Sequence, residues 1–214
     1  MFDPLLPGNS IIKWHFDNQL AVSHVRVQKL LYYCHGNFLG YSKRPMITQV
    51  LEAWEKGPVS PRLYTALSAQ QPQAFGQIRS LATIPDLGPR NSSIIASLSD
   101  YSELPWARYA NAVIDAVCRE FESWTDDALI DQTHKEHPWK DAYFSFVNTF
   151  NRKPTDTDGP SISNTEIFKY FSEIQESLHG SVETEGNSNV STNNFSRGTG
   201  SELDPDGKQR RKPT

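Results

Sequence analysis

The stretch VRVQKLLYYCHGNFLGYSKRPMITQVLEAWEKGPVSPRLY, Val25 to Tyr64, decides how this chain is read. Val27, Leu30, Leu31, Cys34, Phe38 and Tyr41 recur at helical spacing, so one stripe of a first helix must find a packing partner. Ser23 stands in front of it as an N-cap, and Gly40 marks its end. After a short polar break, Ile47 to Lys56 reads as a second helix, with Gly57 placed to end it in a left-handed conformation. Ser60 then caps a third, with Pro61 at the first helical position, where a missing N–H costs nothing. The expected local structure is a sharp helix–helix corner at Gly57-Pro58.

Working outward, a short helix is expected over about Ser10 to Asn18. From Gln71 to Leu104 the chain is broken by Pro72, Pro85, Gly88 and Pro89, and residues 92–98 fit a short helix or a strand equally. Periodicity returns after Pro105, where Ala110, Val113, Ile114, Val117 and Phe121 form a stripe. Thr125 followed by Asp126 and Asp127 opens another helix, with two acids favourably placed against its dipole, and that helix runs to about His134. A loop through Pro138-Trp139 leads into a helix over about Trp139 to Phe150, and residues 151–160 read as a loop. Ser163 with Glu166 three residues on is a capping-box pattern for a last helix striped by Ile167, Phe168, Phe171, Ile174 and Leu178. Residues 181–214 hold few large apolar side chains, which predicts a disordered tail. The expectation is an all-α, mainly helical fold: one compact multi-helix domain over residues 1–180, then the tail over 181–214.

Composition narrows the function. A 214-residue chain with 37% apolar residues can build one good-sized core, or at most two small ones. A formal net charge of −4 argues against a dedicated nucleic-acid binder, and so against a helix-turn-helix regulator built on the Gly57 corner. The N-terminus lacks the charged and apolar regions of a signal peptide, and no run approaches a membrane span, so a cytoplasmic location is expected. Two cysteines, Cys34 and Cys118, both in helical patterns, form neither a disulfide framework nor a zinc motif.

Asp131 and His134 share a helix face, but His137 precedes Pro138 and falls past the helix end, so no metal set is assembled. Cys34 and His35 are adjacent helix positions about 100° apart and do not face each other. There is no nucleophile elbow, phosphate loop or dinucleotide fingerprint. No catalytic residue, metal or cofactor is expected. Trp54, Pro58, Val59 and Tyr64 read first as core residues, with Lys56 and Arg62 beside them as candidates for an interface.

The combination Gln28-Lys29-Leu30-Leu31-Tyr32, then Ala53-Trp54, then Gly57-Pro58-Val59 with Tyr64, resembles the Panacea domain, the SocA-like antitoxin domain of bacterial and phage toxin–antitoxin systems. Thr133-His134 with Pro138-Trp139 and Ala142-Tyr143, and Ile167 with Tyr170-Phe171, match further family elements in the expected order. The resemblance implies an antitoxin, not an enzyme, that neutralises a cognate protein toxin by direct contact. It marks Lys29, Tyr32, Trp54, Gly57, Pro58, Val59, Tyr64, His134, Pro138 and Trp139 as motif positions, and Lys56, where the family often has an aromatic, and Arg62 join them as partner-binding candidates. Some relatives act as adaptors that deliver a bound partner to a cellular protease, which is the alternative reading. A small metal-dependent hydrolase using Asp131, His134 and Cys34 is the alternative from a different class.

Overall fold

The computed structural model describes residues 1–70, 77–82, 84–85, 93–94, 96–155 and 158–185. The part of the expected tail over residues 186–214 lies outside them, as does much of the segment between residues 71 and 95. Described helices are α1 (Leu5–Asp17), α2 (His24–Ser42), α3 (Pro61–Gln70), α4 (Pro105–Glu120), α5 (Asp126–Lys135), α6 (His137–Phe150) and α7 (Asn164–Glu185), with a 3₁₀ turn at Leu98–Tyr101. Strands β1 (Leu51–Trp54), β2 (Gly57–Val59) and β5 (Ser161–Ile162) form an antiparallel sheet in the order β2-β1-β5. A second, two-stranded pair joins β3 (Ile84–Pro85) to β4 (Ser93–Ile94). The fold is mainly helical, as the sequence predicts.

Helix starts fall where their chemistry places them. Ser23 Oγ accepts from the Arg26 N–H, and Thr125 Oγ1 from the Ala128 N–H. Pro105 opens α4, and Ser60 precedes Pro61 at the start of α3. Ser163 caps α7 through the Thr165 N–H, but Glu166 binds Lys169 rather than closing the capping box. Helix α1 starts at Leu5, five residues before the expected Ser10, because Pro7 and Gly8 sit in its first turn. There the N–H groups have no intrahelical acceptor, so a proline removes nothing. Helix α6 likewise takes Pro138 into its first turn and begins at His137.

The one element of the wrong type is the expected helix over Ile47 to Lys56, which is a β-hairpin. Glu52 pairs with Val59, Ala53 with Pro58 and Trp54 with Gly57, leaving Glu55 and Lys56 as a two-residue turn. Gly57 has the positive φ expected of it, +98°, but closes a hairpin instead of ending a helix. A run as short as Val50 to Trp54 carries no decisive period, and its third strand, β5, comes from more than a hundred residues away.

Helix α2 is the centre of the domain. It is buried along nearly its whole length, from His24 to Leu39, and packs against α1, α3, α4, α5 and β2. Only Tyr41, the last member of its predicted stripe, is well exposed. A helix buried on all sides would be expected to be apolar throughout, yet α2 carries Arg26, Gln28, Lys29, Tyr33 and His35 into the interior. Each of these finds a partner on a different part of the chain. Arg26, for example, donates to the carbonyls of Phe121, Glu122 and Trp124, in the turn that follows α4.

Candidate functional site

The motif residues of α2 meet the hairpin. Lys29, 1% exposed, donates from Nζ to the Pro58 carbonyl at 2.9 Å. Gln28 Oε1 accepts the Ser60 N–H at 2.9 Å, so consecutive residues hold the end of the hairpin and the start of α3. Burial drives the Lys29 ammonium well below the usual lysine range, and the nearby Lys56 charge pushes in the same direction. A Cβ on Gly57 would lie 2.7 Å from Lys29 Nζ and 2.6 Å from Thr133 Oγ1. Glycine is therefore needed there both for its φ and for the close approach.

From the other side, the Trp139 indole N–H donates to the Trp54 carbonyl at 2.9 Å. His134 stacks on Trp139 with ring centres 4.1 Å apart, and Tyr143 stacks on the same indole at 4.6 Å. Burial lowers the His134 pKa, Lys29 adds to the effect, and Asp131 opposes it. Trp54 is enclosed further by Tyr64, edge-on at 4.7 Å, and by Gly159, where a Cβ would strike the indole at 2.3 Å. Pro138, Trp139, Trp54, Pro58, Val59 and Tyr32 are all buried; Trp139 ties the hairpin to α6, whereas Tyr32 packs on Phe171 of α7.

What remains at the surface is narrower than the motif. Glu55 and Lys56 are exposed at the hairpin tip, and Glu55 pairs with Lys153. Arg62, Tyr64 and His134 are half-buried, and Arg62 is held by both carboxylate oxygens of Asp3 at 2.8 Å. Beside the tip lies a cleft of about 190 Å³ whose walls include His24, Gln28, Trp54, Lys56 and Tyr64. His24 Nε2 and Gln28 Nε2 are buried at this cleft without hydrogen-bond partners. Burial pushes the His24 imidazole down to about 4, so it is neutral at physiological pH. Gln28 opens the family motif quoted from the sequence, yet neither it nor His24 is among the positions that the sequence marks for partner binding.

The side chains weighed for chemistry do not converge. Among the described residues, no group of three or more His, Cys, Asp or Glu is arranged to hold a metal ion. His134 lies against Trp139, whereas His137 meets the ring of Tyr170. Cys34 is completely buried, and burial raises its thiol pKa, the opposite of what a nucleophile requires. Among the described residues, no helix is long and apolar enough to cross a membrane.

A central, polar-studded helix clamps a β-hairpin whose two-residue turn, Glu55-Lys56, is exposed beside an aromatic-walled cleft. The chain belongs to the antitoxin SocA-like, Panacea domain family, whose pattern it matches over residues 27–140, from the first turns of α2 into α6. It is also similar to Antitoxin SocA of Caulobacter vibrioides (strain NA1000 / CB15N), with 43% identity over 54 residues. That stretch covers 25% of this chain and 29% of the relative. No solved structure matches.

Proposed function

We propose that this protein is the antitoxin of a toxin–antitoxin pair and silences a cognate protein toxin by direct contact. Membership of the antitoxin family supports the role. The observation that carries the contact surface is the hairpin tip. Lys56, Tyr64 and the cleft beside them are accessible, while the motif residues behind them form a buried clamp that holds the tip rigid. Rigid presentation limits the ordering cost of binding, and Tyr and Arg or Lys beside a pocket are effective anchors. Inhibition then proceeds by occluding the toxin's working surface or holding it in an inactive conformation. A stable complex of this kind buries about 1,200–2,000 Å² in total. Silencing at cellular abundance calls for nanomolar affinity, about −12 kcal/mol.

The test is co-expression with the product of the neighbouring gene. Growth rescue together with a co-purifying complex supports the reading, and absence of both defeats it. Replacing Lys56, exposed at the tip, by Glu should weaken the complex while leaving the thermal midpoint in place.

A further inference from the structure

A second pocket, sharing no residue with the cleft at the hairpin tip, lies where α2, the end of α4, the α5–α6 junction and α7 meet. Its volume is about 280 Å³, and its walls include Tyr33, Phe121, Trp124, Tyr170 and Phe171. The rings form a connected wall. Tyr33 stacks on Phe121 at 4.4 Å, Phe121 meets Trp124 edge-on at 5.1 Å, and Tyr170 meets Phe171 edge-on at 5.3 Å.

Within this aromatic lining lies a carboxylate, Glu136, only 3% exposed. Its Oε1 accepts from the Tyr33 hydroxyl at 2.9 Å and, more weakly, from Gln132 Nε2 at 3.4 Å. Its Oε2 is buried and makes no well-formed hydrogen bond, with the hydroxyls of Tyr32 and Tyr170 close enough to act on the carboxyl. Among the described residues, no lysine or arginine forms an ion pair with Glu136. Arg26, behind Phe121 and Trp124, is already occupied by three backbone carbonyls and Asp126. A second acid, Glu120, sits at the pocket wall and is exposed.

An unpaired buried acid is costly, and a carboxylate is stabilised by charge-assisted, bidentate hydrogen bonds from a planar cation. Aromatic faces attract the same cation through their negative quadrupoles, arginine above all because its guanidinium also stacks. A cavity of this size is below the range of about 300–1,000 Å³ typical of drug-sized ligands and suits one long side chain.

We infer that this pocket receives the guanidinium of an arginine on a partner polypeptide, with Glu136 as its counter-ion and Trp124, Phe121 and Tyr170 as the walls on which it stacks. The inference rests on the antitoxin reading only for the identity of the carrier. The preference of the pocket for a guanidinium is testable without any toxin, so the two can fail separately.

The experiment is calorimetric titration of the full-length protein with N-acetyl-arginine methylamide, its neutral citrulline counterpart and agmatine. The blocked arginine should bind saturably, and the citrulline probe at least about tenfold more weakly. Glu136→Gln keeps the acceptor for Tyr33 and should weaken arginine binding about tenfold or more, while Trp124→Ala weakens it several-fold. Glu136→Gln should also leave the thermal midpoint unchanged or higher, which shows that the loss is not unfolding. Absence of saturable binding, equal binding of the citrulline probe, or undiminished binding by Glu136→Gln would overturn the assignment. Binding of agmatine without binding of the blocked arginine would overturn the polypeptide source and make the pocket a small-amine site.

Discussion

Lys29 Nζ sits 2.9 Å from the carbonyl oxygen of Pro58, and the bond is fully enclosed. A charged group with a single carbonyl acceptor is poorly compensated for its lost hydration, which is why burial depresses its pKa so far. The unfolded chain therefore binds more protons than the folded one between that depressed value and the ordinary lysine pKa, and stability rises with pH through this window. That rise is the contribution of Lys29 alone, since burial also raises the Cys34 and Cys118 thiols and the Tyr33 and Tyr170 phenols, whose protons the unfolded chain releases from about pH 8.5 upward and the folded chain keeps. Across about pH 7.5 to 9.5, urea denaturation should show the parent protein gaining stability relative to Lys29→Met as pH rises, because the thiols and phenols contribute equally to both. Lys29→Ala, which also opens a cavity beside Gly57, should be less stable than Lys29→Met by about 2 kcal/mol.

The bond from Trp139 to the Trp54 carbonyl gives a second prediction. Trp139→Phe retains most of the stacking surface for His134 and Tyr143 but leaves a buried carbonyl without its donor. The expected loss is about 1–3 kcal/mol in chemical denaturation. Trp139→Ala should lose about 3–5 kcal/mol. If the hairpin tip binds the toxin, both substitutions should weaken the complex indirectly, by loosening the tip, and a crosslink or ligand that restores stability should restore binding.

Much of the fold was legible because it depends on local chemistry. Ser23, Ser60-Pro61, Pro105 and Thr125 mark helix starts through side chains within a few residues of the bonds they make. The hairpin was not legible, since β1 is defined by its pairing with distant β5, and β2 by the hold of α2 on Pro58, rather than by a period of their own. The same holds for the polar interior of α2. Its apolar stripe predicts one buried face, whereas Arg26, Lys29, Tyr33 and His35 are buried because distant groups at Phe121, Pro58, Glu136 and Asn164 await them. Family motifs pointed to the right neighbourhood of the candidate site. They did not separate buried clamp residues such as Lys29 from accessible ones such as Lys56.

Gly36 shows how closely α2 and α7 approach. A Cβ there would lie 2.1 Å from the Phe171 ring, which is itself buried against Tyr32 and Tyr33. The ring has little room to retreat, so Gly36→Ala should destabilise by about 1–3 kcal/mol despite the higher helix propensity of alanine. A control with the paired change Phe171→Leu should recover part of that loss, measured by a double-mutant cycle.

His35 sets the acid limit. It is completely buried in α2, with Nε2 2.9 Å from Asn164 Oδ1 at the start of α7 and Nδ1 without a partner. Burial pushes its pKa from 6.5 down to about 4, so the folded protein holds a neutral ring where the unfolded chain is protonated. The unfolded state then binds the extra proton, and stability must fall as pH drops from about 6.5 towards 4, by as much as about 3 kcal/mol from this residue alone. His24, lowered to about 4 for the same reason, adds to the loss in the same window. Glu136 works in the opposite direction, since a raised carboxyl pKa favours the folded state on acidification. Denaturation curves at pH 7 and pH 5 should therefore show a lower midpoint at pH 5. His35→Gln can still donate to Asn164 but has no proton to gain, so its midpoint should change less between the two. An equal pH dependence in parent and variant would mean that the buried imidazole does not govern acid stability.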